Sequence, residues 1–299
     1  MTAPPSLQRS LGLVRATAMV VGTIIGASIF VQPAVVTGAV GTASGVFLAW
    51  GLAGLLTLAG ALLTAELASA YPETGGVYAF LREAYSPGVG FLWAWAMFWS
   101  MHSGIIAAIA VVFARYVAYF VPLGDLGIRV VAIAAVLSIS AINVRGVGLG
   151  SGVQAAVTIA KLAAIVVVIV VGFWIGSGLP AHFVGRSAGA SQGLAGFAGA
   201  VAAGLFAFGG WHMVTYTAEE TRDPHKTLPR ALLIGVAIVT VTYLALNAVY
   251  LYVLPLDQVS ASQRVAAAAA ETPWGGGPAW PSRPWSSGPR SAPSAASCS

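Results

Sequence analysis

The sequence of 299 residues has very little charge. Lys, Arg, Asp and Glu make up only 8% of it, while 58% of the residues are hydrophobic. A soluble domain carries about 25% charged residues, so this composition excludes an ordinary soluble domain. A mean hydropathy of +0.86 predicts a protein that crosses the lipid bilayer several times. The formal net charge of +5 then belongs to loops on one side of the membrane, and we expect no nucleic-acid partner.

Cysteine and the common catalytic motifs are also scarce. Cys298 is the only cysteine, which excludes a disulfide framework and a cysteine-based metal site. The sequence contains no H-E-x-x-H, Walker or C-x-x-C motif. Residues 189–193 fit G-x-S-x-G, but that hydrolase motif needs a strand before it, and a polar loop precedes it here. We therefore expect neither an enzyme nor a cofactor or metal protein.

Seven apolar segments, numbered 1 to 7 below, each approach the roughly 20 residues that a spanning helix needs. They cover about residues 14–40, 45–70, 89–121, 128–143, 153–176, 193–218 and 231–254. The sequence thus predicts an all-α polytopic membrane protein of about seven transmembrane helices within residues 1–270. More of the loop Arg and Lys residues fall inside if the N-terminus is cytoplasmic, which favours that orientation.

The last part of the chain, residues 271–299, changes character. It is rich in Pro, Ser and Gly, has no helical period, and is predicted to be disordered. Trp274, Trp280 and Trp285 are unusual in such a tail. The abrupt change suggests the hypothesis of translation in a shifted reading frame. Finding no apolar segments in the other two frames of the underlying DNA would reject it.

Segment 1 contains the run Gly-Thr-Ile-Ile-Gly-Ala-Ser-Ile-Phe at residues 22–30, followed by Pro33. Glycine in a helix interior costs roughly 1 kcal/mol relative to alanine, and proline removes a backbone donor. The run therefore predicts a break in the helix. Irregular backbone inside a membrane is tolerated only where it lines a cavity or is buried in protein, so a break is a candidate binding site. The alternative is a GxxxG face, Gly22 to Gly26, against which another helix packs.

Segment 6 contains a second run of this kind at residues 204–212, Gly-Leu-Phe-Ala-Phe-Gly-Gly-Trp-His. Segments 1 and 6 are the corresponding first helices of two five-helix halves. Matching interruptions in corresponding helices indicate the binding site of a secondary transporter. The pair therefore favours a binding site over a packing face.

Four motifs together resemble the amino acid–polyamine–organocation superfamily. They lie at residues 22–30, 66–78, 206–211 and 219–231. The resemblance covers about residues 10–270 and implies a LeuT-like inverted-repeat transporter fold with helices 1 and 6 broken. This chain would hold the first five-helix repeat and two helices of the second, so we expect the permease domain to be incomplete. The implied function is secondary active transport of amino acids across the cell (inner) membrane by alternating access.

The resemblance also implies which residues bind the substrate. Backbone amides around Gly26 would face its carboxylate, and carbonyls of broken segment 6 would accept from its ammonium group. The candidate substrate-binding residues are Ile24, Gly26, Ala27, Ser28, Phe206, Ala207, Phe208 and Gly209. Phe206 matches the aromatic gate of the family, the alternative being a packing aromatic. With no carboxylate at mid-membrane, and a pocket expected to be lined by Phe206, Phe208 and Trp211, the substrate is predicted to be a neutral amino acid.

Lys161 is the ionisable residue that lies deepest inside segment 5. An ionisable group inside the membrane is a functional candidate. Because proton-coupled relatives carry a lysine here, the resemblance implies a coupling role with protons; the alternative is that Lys161 extends to the interface. His212 is either titratable or a hydrogen-bonded structural residue, and His102 is expected to be structural. A different function remains open, namely a non-transporting membrane protein that acts as a scaffold or resembles a receptor.

Overall fold

The computed structural model describes residues 9, 11–144, 147–174, 180–185, 193–262 and 265–271. The α-helices of these residues are α1 (Leu13–Ile24), α2 (Gln32–Val40), α3 (Ala43–Ala70), α4 (Val77–Ala84), α5 (Pro87–Ala96), α6 (Ser103–Phe120), α7 (Asp125–Val144), α8 (Val147–Trp174), α9 (Leu194–Ala207), α10 (Pro224–Val253), α11 (Leu256–Ala261) and α12 (Val265–Glu271). Short 3-10 helices cover Ala27–Phe30, Pro180–Phe183 and Trp211–Glu220, and a π-helix covers Met97–His102. The predicted tail begins at the end of α12, and its residues 272–299 lie outside the described part of the chain.

Within the described residues, five helical stretches are long and apolar enough to cross a membrane. They are Ala43–Ala70, Pro87–Ala118, Asp125–Ile142, Leu194–Glu220 and Pro224–Val253. They coincide with predicted segments 2, 3, 4, 6 and 7. Segment 1 is divided into two short helices. In segment 5 the apolar stretch Ile159–Trp174 is shorter than the five spanning stretches. The prediction of an all-α, multi-pass membrane protein is confirmed.

Local sequence explains where several of these helices begin and end. The Thr42 side chain accepts a hydrogen bond from Gly45 N at 3.1 Å and caps α3. Ser86 caps α5 in the same way, with Pro87 at the first helical position, where its missing N–H costs nothing. Polar caps at these boundaries let α3 and α5 start directly after short turns.

The core of the bundle forms where α10 packs along α3 and α1. Small residues permit the close approach: a Cβ on Gly54 would lie 2.6 Å from Thr240 Cγ2, and one on Gly204 would lie 2.8 Å from Ala53 Cβ. Close approach through small residues is how helices associate in membranes, where no hydrophobic effect acts between them. The helices that hold both interruptions are therefore held together tightly.

Large apolar side chains on the outside of the bundle remain exposed. Leu48, Leu55 and Leu63 of α3 and Phe91 and Trp95 of α5 are each more than half exposed. In water such a surface would drive aggregation. In a bilayer the same side chains contact lipid, which agrees with the composition.

Candidate functional site

Segment 1 is interrupted where the sequence predicts it. Helix α1 ends at Ile24, Ile25 and Gly26 are extended, and a 3-10 turn leads to α2. We call residues 25–30 break 1. A Cβ built on Gly26 would have only Ile24 O and Ser28 Oγ near it, both at 3.9 Å. Because a Cβ at this position would meet no atom of another helix within 4 Å, close helix packing does not explain the glycine at position 26.

Break 1 leaves backbone amides available. The structure shows no side-chain cap at Gly26 and no acceptor for the amides of Gly26, Ala27 and Ser28 within its described residues. All three residues are only partly buried. Free amides at the start of a helical turn carry partial positive charge and attract anions. Break 1 therefore presents a weakly positive, accessible stretch of backbone.

Segment 6 is interrupted more abruptly. Helix α9 ends at Ala207, and Gly210 adopts a left-handed backbone with φ 105° before the 3-10 helix Trp211–Glu220. We call residues 208–210 break 6. A Cβ on Gly210 would lie 3.0 Å from Thr23 O in the last turn of α1. Only glycine combines a left-handed backbone with so close an approach to another chain segment. Break 6 therefore packs directly against α1.

One tyrosine joins the two breaks. The Tyr243 hydroxyl of α10 lies 3.2 Å from Ile24 O and 3.1 Å from Ala207 O, the last residues of α1 and α9. Carbonyls at helix C-termini lack helical partners and carry partial negative charge. The fully buried hydroxyl donates into this region. Sequence reasoning missed Tyr243, although a tyrosine amid an apolar segment is a signal, because a buried tyrosine needs a partner for its O–H.

Lys161 of α8 also contacts α1. Its Nζ donates to Gly22 O at 2.6 Å and is partly buried. The ammonium group of Lys161 is therefore turned towards α1. A charged donor on a carbonyl of the last turn of α1 is favourable, because the helix C-terminus is negative and the hydrogen bond is charge-assisted. Lys161 and Tyr243 thus both place donors at the partly negative carbonyl groups that end α1.

The aromatic residues at break 6 point in different directions. Phe206 is 56% exposed, whereas Phe208 is completely buried. The Phe208 ring packs on Trp50 and Tyr243, with centroids 6.3 and 5.0 Å away. The expectation that the Phe208 side chain lines the site is therefore corrected, since its ring belongs to the core. The Phe206 ring is accessible, and its role as a gate stays a prediction.

The remaining candidate residues contribute backbone. Ala207 and Ile24 are buried, and their carbonyl oxygens share the Tyr243 hydroxyl as donor. Gly209 is exposed, and its amide bonds Phe206 O at 3.2 Å. Trp211 is partly buried, with a ring atom 3.2 Å from the position of a Cβ on Gly60 of α3. The accessible part of the site is thus formed by residues 26–28, Phe206 and Gly209.

One end of the bundle is closed by the residues that precede α1. Leu11 N donates to Glu220 O at 3.0 Å, and Arg222 N donates to Leu11 O at 2.9 Å. These bonds form an isolated parallel bridge between Leu11 and Thr221. The segment that follows break 6 is therefore tied to the chain that leads into break 1.

The loop motif at residues 66–78 strengthens the same end. Ser69 Oγ donates to His225 O at 3.1 Å, and His225 Nδ1 lies 2.5 Å from Ser69 O. Thr74 N donates to Glu219 Oε1 at 3.2 Å. Two of the sequence motifs thus meet, and together they hold α3 against the start of α10.

Two interrupted helices whose ends meet inside a bundle are the arrangement that secondary transporters use to bind small charged solutes. The structure therefore belongs to the class of multi-pass helical membrane proteins with a discontinuous-helix site. The family model described as amino acid permease matches residues 11–280, and the chain belongs to this family. The resemblance inferred from the four motifs is confirmed.

Known relatives agree with this membership. The chain is 35% identical to the serine/threonine exchanger SteT of Bacillus subtilis (strain 168) over 253 residues, covering 85% of this chain and 57% of the relative. It is 35% identical to the human b(0,+)-type amino acid transporter 1 over 266 residues, covering 87% and 55%. It is 33% identical to the large neutral amino acids transporter small subunit 2 of Oryctolagus cuniculus over 276 residues, covering 87% and 50%. The family and these relatives are transporters, not enzymes, and the chain spans about half of their length.

Proposed function

We propose that this protein acts in the secondary active transport of amino acids across the cell membrane, by alternating access about breaks 1 and 6. The observation that carries the proposal is the opposite polarity of the two breaks. At break 1 the amides of residues 26–28 have no acceptor in the part of the chain that the structure describes. Break 6 ends a helix, where carbonyls concentrate. An amino acid has a carboxylate and an ammonium group that match these two ends.

The substrate that we propose is a neutral amino acid. Residues 22–30 and 204–212 contain no acidic side chain to pair with a cationic substrate. The exposed Phe206 ring offers an apolar contact over the site. The names of two relatives, a serine/threonine exchanger and a large neutral amino acid transporter, support the same class.

For Lys161 we propose a proton-coupling role. Its ammonium group bonds Gly22 O beside break 1, so loss of its proton would weaken the hold on the end of α1. Wild-type protein in liposomes is expected to show pH-dependent uptake, and Lys161→Ala is expected to lose that dependence. Uptake by the variant that still follows pH would reject the role.

We also propose that the N-terminus lies on the cytoplasmic side of the membrane. The hydrogen-bonded end that contains Leu11, Ser69 and Glu219 would then be the closed cytoplasmic gate. Labelling of a cysteine introduced at the exposed Lys226 by a membrane-impermeant reagent tests this. Labelling from outside intact cells would contradict the orientation.

Ala27→Pro gives the direct test of substrate binding. Residue 27 is the first of its 3-10 turn and follows an extended Gly26, so proline fits there and removes only one N–H. A hydrogen bond to a charged group contributes about 1.5–3 kcal/mol, so the apparent affinity for labelled serine or leucine is expected to fall roughly tenfold or more. Ser28→Ala is the matched control, because it keeps every amide.

The outcome also separates the second candidate function. A chain that folds but neither binds nor takes up amino acids would support a non-transporting membrane protein. Equal effects of Ala27→Pro and Ser28→Ala would contradict recognition by backbone amides. Binding by calorimetry and uptake into liposomes therefore need to be measured on the same preparations.

A further inference from the structure

A small cavity lies at the closed end of the bundle, beside the start of α10. It has a volume of about 190 Å³ and is lined by residues from three parts of the chain: Arg9, Pro72, Asp223, Pro224, His225 and Lys226. This volume is well above the space that one water molecule needs. None of the candidate substrate-binding residues lines the cavity. It is therefore a second place, separate from the two breaks, where a small chemical group can bind.

The side chains around this cavity carry more positive than negative charge. Arg9 and Lys226 are cationic, whereas Asp223 is the one acidic residue in the lining. Both cations are exposed, and neither forms an ion pair with any residue that the structure describes. Arg82, by contrast, is paired with two nearby glutamates at 2.7 and 2.9 Å. The cations of the cavity are therefore available to an anion from outside the chain.

Hydrogen bonds hold the walls of the cavity in place. Arg222 Nε donates to Arg9 O at 3.2 Å, which ties the N-terminal wall to the chain that leads into α10. On the opposite wall, Ser69 Oγ donates to His225 O at 3.1 Å. Neither bond uses the guanidinium of Arg9 or the ammonium of Lys226. The backbone positions of both cations are thus set before a ligand binds, which lowers the cost of binding.

The depth of the cavity matches the headgroup layer of a bilayer. The apolar stretch of segment 7 begins at Ala231, and Lys226 precedes it by five residues in the same helix. At a rise of 1.5 Å per residue, this separation is about 7.5 Å along the helix axis. The polar region of a bilayer is roughly 5–8 Å thick on each side of the hydrocarbon core. The cavity therefore lies at the level where lipid phosphates lie.

A phosphate group suits this arrangement of charges. Arginine and lysine both bind phosphate through charge-assisted hydrogen bonds, and basic pockets beside membrane helices bind anionic lipid headgroups. We propose that the cavity binds the phosphate group of an anionic phospholipid between Arg9 and Lys226. Under the proposed orientation it faces the cytoplasmic leaflet, whose surface is anionic. Binding in detergent depends neither on that orientation nor on the proposed function.

Calorimetric titration of short-chain phosphatidylglycerol into the purified full chain in a neutral detergent tests the binding. Saturable binding of one lipid per chain is expected. Short-chain phosphatidylcholine carries the same phosphate but no net charge, and it should bind more weakly by about fivefold or more. Inorganic phosphate lacks the acyl chains that anchor a lipid beside α10, and it should bind more weakly than phosphatidylglycerol. Inorganic phosphate that binds as tightly as phosphatidylglycerol would overturn a lipid as the source of the phosphate.

Single charge-removing variants test which side chains bind the phosphate. Arg9→Gln and Lys226→Gln should each lower the affinity for phosphatidylglycerol about fivefold, the contribution of one cation near a membrane surface. Arg230→Gln is the matched control, because Arg230 is an exposed cation one turn further along α10 and does not line the cavity. Asp223→Asn should tighten binding, because it removes the one negative charge of the lining. Asparagine also tolerates the left-handed backbone at this position, with φ 44°.

Two further results would overturn the site. An equal loss of affinity in Lys226→Gln and Arg230→Gln would mean that diffuse surface charge attracts the lipid. An unchanged affinity in both Arg9→Gln and Lys226→Gln would mean that the lipid binds elsewhere. Helical circular dichroism of each variant shows that it has folded, and a gain of affinity in Asp223→Asn excludes a general loss of structure. Since calorimetry needs no uptake, a chain that does not transport would contradict the proposed function while leaving the lipid result readable.

Discussion

Breaks 1 and 6 look alike in sequence but differ in their surroundings. A Cβ on Gly26 would meet nothing closer than 3.9 Å, whereas one on Gly210 would lie 3.0 Å from Thr23 O with a left-handed backbone. Residues 26–28 are partly accessible, while Phe208 is buried in an aromatic cluster. Break 1 is thus the open side with free amides, and break 6 is the packed side that supports it. The same glycine-rich composition thus accompanies open space in one place and close packing in the other.

The strongest test of this difference is to add a methyl group at each break. Gly210→Ala forces an alanine into the left-handed region at about 1–2 kcal/mol and against Thr23 O at about 1–3 kcal/mol. A loss of about 2–5 kcal/mol in the free energy of unfolding is therefore expected. Gly26→Ala, with φ −111°, should stay within about 0.5–1 kcal/mol of wild type. Unfolding in detergent followed by helical circular dichroism measures both.

Similar losses in the two glycine variants would show that the breaks do not differ as described. A large loss only in Gly26→Ala would reverse the assignment of the open and packed sides. Neither outcome depends on whether the chain transports a solute.

The next effect concerns the tyrosine that joins the breaks. Tyr243→Phe removes the single hydroxyl proton that Ile24 O and Ala207 O share. A buried group that loses its partner costs about 1–3 kcal/mol, and unfolding should become easier by that amount. Tyr250→Phe is a control on the same helix. Among the described residues the buried Tyr250 hydroxyl has no hydrogen-bond partner, so its removal should be neutral or stabilising.

Equal destabilisation by Tyr243→Phe and Tyr250→Phe would mean that the hydroxyl at position 243 does not hold the breaks together. Thermal unfolding of both variants in the same detergent decides this. Added serine or leucine should stabilise wild type more than Tyr243→Phe if the joined breaks form the binding site.

The smallest effect is expected for Lys161→Met. The variant loses the bond from Nζ to Gly22 O, but it also removes the cost of a partly buried charge. The net change in the free energy of unfolding should be about 1 kcal/mol. Lys226→Met, at an exposed position, should change it by less than about 0.5 kcal/mol. Chemical denaturation measures the free energy of unfolding of both variants. If the two values are equal, the Lys161 side chain does not stabilise break 1.

Much of the fold could be predicted from the pattern of apolar residues. Apolar length determines where a chain can span a bilayer, and segments 2, 3, 4 and 7 end within a few residues of the prediction. Segment 7 starts earlier than expected, at Pro224, because its polar first turns continue the helix beyond the apolar stretch. Both interruptions were predicted because glycine clusters disfavour helix.

The candidate site could be predicted only in part. The glycines in the sequence indicated where the amides of residues 26–28 would be left without helical partners, because glycine disfavours helix in its own stretch of chain. The direction of the Phe208 ring, the carbonyl bound by Lys161, and the role of Tyr243 depend on which helix packs opposite. The sequence around each of these residues does not predict which helix packs against it.

The sequence by itself determined that this chain crosses a membrane as helices and that two of those helices are interrupted, because length, hydropathy and backbone propensity act locally. Only the tertiary structure decided that the ends of α1 and α9 meet at one hydroxyl. It alone made Gly210 indispensable while leaving space around Gly26. The physical reason is that helix packing through small residues brings together groups more than two hundred residues apart in the chain, and those contacts define which backbone groups stay free to bind a ligand.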